Sequence, residues 1–141
     1  MHTEQLRNVH PLWVATGWLV AIAMTSLIAL TLAALELVAP DTEADATGAL
    51  VSTALGFWLG GLFIGFRALR APILHGIMIG LASIAAWFIV NLLAIPFPSL
   101  TWEALTPLLT AALLLVQMTA AVAGTWVGHR IALRGGTELT E

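Results

Sequence analysis

The chain has no cysteine, no lysine and no tyrosine, and only 9% of its 141 residues are charged. Without cysteine there are no disulfides, iron–sulfur clusters or thiolate metal sites. The basic side chains are five arginines, too few for a surface that tracks phosphates, so no nucleic-acid partner is expected. Scarcity of charge is informative in itself, because soluble domains are roughly a quarter charged. Here 60% of the residues are apolar and the mean hydropathy is +0.97. A chain this short cannot fold that much apolar surface inside itself. Lipid has to cover the remainder.

The few charges are sorted. Arg7 precedes the first long apolar run, Arg67 and Arg70 lie between the second and third, and Arg130 and Arg134 follow the fourth. The two other connections carry Glu36, Asp41, Glu43, Asp45 and Glu103 and no base. Cytoplasmic loops retain Arg and Lys because these residues resist translocation. The sequence therefore predicts an all-α bundle of four transmembrane helices in the cell membrane, with both termini cytoplasmic. Since roughly 20 apolar residues cross the hydrocarbon core, the spans are drawn at about 11–38, 46–66, 72–95 and 107–132. Residues 1–134 make a single domain, and 135–141 form a short polar tail after Gly135 and Gly136. The first run is too long for a cleaved signal peptide, whose apolar region has roughly 7–15 residues, and is read as a retained helix. Pro11 and Pro72 open helices, Thr42 or Asp45 caps the second, and Pro96 and Pro98 stop the third. Trp13, Trp18 and Trp126 are placed at the inner interface and Trp102 at the outer one. Trp58 and Trp87 are read as packing or lipid-facing residues.

Small residues supply the strongest pattern inside the spans. Gly56 and Gly60, Gly61 and Gly65, Gly76 and Gly80, and Gly124 and Gly128 are each four apart, and Gly17 begins a row continued by Ala21, Thr25, Ala29 and Ala33. Such rows share a helix face and let backbones approach closely, which matters in lipid because apolar side chains gain nothing hydrophobic by meeting. Two rows on the second helix predict that it touches two neighbours. The rows do not separate packing within one chain from homo-oligomerisation or docking of another membrane protein. The second and fourth helices both end on Gly-x-x-x-Gly-x-Arg at an offset of 63, which is compatible with two duplicated hairpins related by an axis along the membrane normal.

Polar groups are few. Gln117, Thr25 and Ser26 fall near mid-membrane, where amides and hydroxyls usually bond across helices; a polar lining or a quinone-type pocket is the functional alternative. No Asp, Glu, Lys or Arg is expected at membrane depth, which disfavours proton-coupled transport. His75 and His129 fall at similar depth on the basic side, and an interfacial role is preferred to a bis-histidine haem or metal site. Together with Arg67, Arg70, Arg130 and Arg134 they form an expected inner collar, suited to anionic lipid headgroups or a partner.

The run Gly60-Gly61-x-x-x-Gly65-x-Arg67-Ala68, followed by His75-Gly76-x-x-x-Gly80, resembles the core of small bacterial four-helix membrane proteins of unknown function. The resemblance covers about a quarter of the chain and implies fold and location, but no reaction. No nucleophile–base pair or metal cluster is legible, so neither enzymatic activity nor a cofactor is expected. A non-enzymatic accessory or scaffold subunit, packing through its small-residue faces, is the expected role. A homo-oligomeric channel or carrier for a small solute is the alternative.

Overall fold

The computed structural model describes residues 9–37, 43–67, 71–94 and 107–137. Expectations for Arg7, Arg70, Asp41, Thr42, Pro96, Pro98, Trp102 and Glu103 lie outside the described residues. Four helices follow one another: α1 (Pro11–Ala34), α2 (Glu43–Arg67), α3 (Pro72–Ala94) and α4 (Pro107–Thr137). All four are long and apolar enough to cross a membrane; α1, with 24 residues, measures about 36 Å at 1.5 Å per residue.

Three boundaries differ from the sequence expectation, for local reasons. α1 stops at Ala34 because Glu36 takes a left-handed conformation with φ 55°. The Glu36 N–H then donates to the Ala33 carbonyl at 3.0 Å and the Leu37 N–H to the Leu32 carbonyl at 3.1 Å. This closure normally uses glycine, so composition gave no sign of it. α2 starts at Glu43, which places Asp45 inside the helix rather than at its cap. α4 continues through Gly135 and Gly136 to Thr137, since glycine weakens a helix by about 1 kcal/mol but ends one only by turning left-handed. No described glycine has positive φ.

Around the bundle the neighbours run α1, α2, α4, α3, and α3 closes the ring against α1. The contact between α2 and α4 is the most extensive, as two adjacent small rows on α2 require. A side chain on Gly61 would strike the Ala121 backbone, and one on Gly124 the Trp58 backbone. Likewise Gly65 abuts Thr125, Gly128 abuts Leu62, and the two glycines meet. Adding 63 to the α2 member of each pair returns its counterpart on α4, so these helices pack about a local two-fold axis near Gly65 and Gly128. The outer helices break that symmetry. α1 lies on α2 with Thr25 against Gly56 and Ala21 against Gly60, whereas α3 lies on α4 with Gly76 against Val122 and Gly80 against Met118. A true two-fold would send α1 and α3 to opposite sides, yet they touch. The two-fold packing at an offset of 63 thus holds for the central pair and does not extend to its contacts with α1 and α3.

The small core fits between these backbones: Val14, Ala21, Phe57, Ile64, Ile79 and Ala121 are buried. Gly17 belongs with them, since a Cβ there would lie 2.8 Å from Ile79 Cδ1 and closer still to Ile64. All nine glycines expected at helix contacts face another helix of the same chain. The α1 row fades outward, with Ala29 and Ala33 exposed.

A lateral cavity between α1 and α3

Two hydrogen bonds fasten α1 to α3 toward the arginine-bearing end. The backbone N–H of His10, the residue before α1, donates to His75 Nε2 at 3.3 Å. His75 Nδ1 lies 2.9 Å from the Ala71 carbonyl, so the imidazole donates from Nδ1 and accepts at Nε2. The ring is fully buried. Ala71 holds φ 52° just before Pro72, and this left-handed residue aims its carbonyl at the His75 backbone and side chain together. Eight residues farther along α1, the Trp18 indole N–H donates to Ser83 Oγ at 3.0 Å. Trp18 is therefore a bundle residue, not the interfacial anchor that its position in sequence implies.

Past Trp18 the two helices leave a gap, and a cavity of about 390 Å³ opens there. Its walls come from all four helices: Trp18 and Ile22 on α1, Phe57 on α2, Trp87 on α3, Leu114 and Gln117 on α4. Thr25, Ser26 and Ser83 add hydroxyls. The mouth faces the surface that lipid covers, since Ile22, Trp87 and Val90 are partly exposed. The structure thus brings the three residues read as a polar lining, Gln117, Thr25 and Ser26, onto one wall system.

The hydroxyls elsewhere show what is unusual here. Thr16, Thr31, Ser52 and Thr119 each donate to the carbonyl four residues back, at 2.8 to 2.9 Å, and Thr125 donates to Val122 at 2.9 Å. Asn91 turns its amide onto the Trp87 carbonyl in the same way. This is the ordinary way to satisfy a hydroxyl or amide in lipid. Thr25 does not follow it. Its Oγ1 and the Oε1 of Gln117 are buried without a hydrogen-bond partner. An unmet polar atom costs about 1–3 kcal/mol in a protein interior. The Thr25 hydroxyl lies against Gly56, in the contact between α1 and α2.

At the basic end, two of the arginines expected in the collar lie over aromatic rings. Arg67 lies over the Phe63 ring at 5.9 Å and Arg130 over the Trp126 ring at 4.0 Å. These positions are two residues from Gly65 and Gly128, about 200° around each helix, so the arginines point away from the α2–α4 contact on opposite sides. Arg134 is exposed near the end of α4. Both nitrogens of His75 are engaged within the chain, while His129 Nδ1 is buried without a partner. No group of three metal-binding side chains occurs among the described residues. Two shallower apolar grooves, one beside Ile77 and Met118 and one beside Val14 and Ala85, also face outward. The chain matches no protein-family model, no curated protein and no solved structure.

Proposed function

We propose that this protein is a non-enzymatic membrane bundle that binds a small lipid-soluble molecule in the cavity between α1 and α3. The observation that carries the reading is the cavity itself, a space of about 390 Å³ that all four helices wall with mostly apolar side chains. Ligand sites combine mostly apolar walls with a few placed polar groups in a space of this size. The reading displaces the scaffold role, because that role rested on small-residue faces, and the nine glycines spend those faces on contacts within the chain. A channel is also less well supported: the cavity opens sideways, between helices, and its lining holds no charged side chain among the described residues. In this account the arginine-rich end faces the cytoplasm of a bacterial inner membrane, with the cavity mouth in the bilayer.

The test is native mass spectrometry of protein extracted with its surrounding membrane. A lipophilic molecule should be retained at about one per chain, and Ala86→Trp, which plugs the cavity wall, should abolish retention while helicity is unchanged. Equal retention by the plugged variant would end the proposal.

A further inference from the structure

We infer that the outward groove between α3 and α4 is a binding site for an anionic phospholipid, with an acyl chain along the groove and the headgroup at Arg130. The groove shares no lining residue with the cavity between α1 and α3, so the two sites stand independently.

The groove has a volume of about 410 Å³, with Ile73 and Ile77 of α3 on one wall and Met118, Ala123 and Trp126 of α4 on the other. Gly76 packs against Val122 and Gly80 against Met118. Ile73 and Trp126 therefore mark the basic end, and Met118 lies about 12 Å farther in at 1.5 Å per residue. Lipid reaches this surface, because Ile73 is 39% exposed and Trp126 43%. Thr119 also lines the groove, but its hydroxyl is already donated to the Leu115 and Val116 carbonyls. A hydrocarbon chain suits such walls.

Arg130 stands at the mouth. Thr119, Ala123, Trp126 and Arg130 are spaced by four, three and four residues, which puts them on one face of α4. The Arg130 guanidinium lies 4.0 Å from the centre of the Trp126 ring, beside the groove that this ring lines. The side chain is exposed, and among the described residues no carboxylate pairs with it. Arg134, one turn on, is a second exposed cation. The described acids, Glu36, Glu43 and Asp45, are all at the other end of the bundle.

Charge and shape together select the occupant. A guanidinium matches a phosphate through paired N–H donors, and arginines near a membrane surface attract anionic headgroups. A free anion would leave the groove unfilled, and a neutral lipophile would leave the cations unmatched. A zwitterionic lipid brings its own ammonium to the same place and gains less.

The experiment places the whole protein in liposomes of equal parts phosphatidylglycerol and phosphatidylcholine, with bromine on the chains of one lipid or of the other. Quenching of Trp126 is read as the difference between each protein and its Trp126→Phe form, which keeps a ring beside Arg130. The anionic lipid should occupy the site about fivefold more often, the preference that one arginine gives near a surface. Arg130→Gln should bring the ratio toward unity and Arg130→Lys should keep most of it. Arg67→Gln, on the opposite side of the α2–α4 contact, should leave it unchanged. Equal quenching of wild type by the two brominated lipids would overturn the proposal. So would equal effects of Arg67→Gln and Arg130→Gln, which mark a diffuse surface charge, or no quenching by either lipid, which marks a groove covered by protein.

Discussion

Gly61→Ala and Gly124→Ala test the central packing most sharply, because the local two-fold axis makes them equivalent. A Cβ on Gly61 would lie 3.1 Å from Ala121 Cα and would overlap the Ala121 carbonyl oxygen; a Cβ on Gly124 would overlap the Trp58 carbonyl and lie 2.8 Å from Leu62 N. In each case the obstacle is backbone, which has no rotamer to change. The helices must separate by about 1 Å, and that separation also loosens the contact between Gly65 and Gly128, so dispersion is lost along the whole seam. Overpacking of this kind costs about 3 kcal/mol. The second substitution then enters a gap already opened, so the double variant should fall short of the sum of the singles by about 1 kcal/mol or more. Gly135→Ala is the control: nothing lies within 4 Å of its Cβ position, and exchange should be neutral or stabilise the helix by up to about 1 kcal/mol. The assay is reversible unfolding in mixed micelles with increasing dodecyl sulfate, followed by circular dichroism. If either single substitution changed stability by less than about 0.5 kcal/mol, or the two added without coupling, the close approach of α2 and α4 would be refuted.

Three further outcomes follow from the same contacts. Gln117→Leu should leave stability unchanged or raise it by about 1 kcal/mol, because it removes an unmet acceptor; a clear loss in the same unfolding assay would mean that the amide bonds across helices. Trp18→Phe should lower stability by about 1 kcal/mol, through the lost bond to Ser83, and should shift near-ultraviolet dichroism; no change in either would count against the fastening of α1 to α3. With no native cysteine, Gln5→Cys and Leu139→Cys should label only from the cytoplasmic side of intact cells' membranes, whereas Asp41→Cys should label from outside; the reverse pattern would invert the topology.

Apolar runs and the sorted arginines made the helices legible, since both follow from the cost of placing charge in lipid. The glycine rows identified α2 as the helix with two neighbours, because close approach has a sequence cost that only small residues meet. They could not show which row met which helix. The partner of Gly61 is Ala121 and that of Gly56 is Thr25, and these pairings depend on rotation about helix axes, which a row of glycines leaves free. Legibility was lower still at the site. Gln117, Thr25 and Ser26 stood out as polar residues in an apolar setting, yet the sequence argued for bonds across helices, and the structure leaves two of their atoms unpaired. The fastening of Trp18 to Ser83, and of His10 to His75, has no periodic signature. Each pair is separated by 65 residues, the register of two parallel neighbours, but that number acquires meaning only once α1 and α3 are known to touch. The end of α1 was hidden for a different reason: Glu36 supplies the left-handed turn in place of glycine.

The most direct test of the account is an experimental structure of the protein in nanodiscs formed with its own membrane lipids. Non-protein density is predicted in the cavity between α1 and α3, against Trp18, Phe57 and Trp87. A closed, empty interface between these helices would contradict the ligand-binding reading.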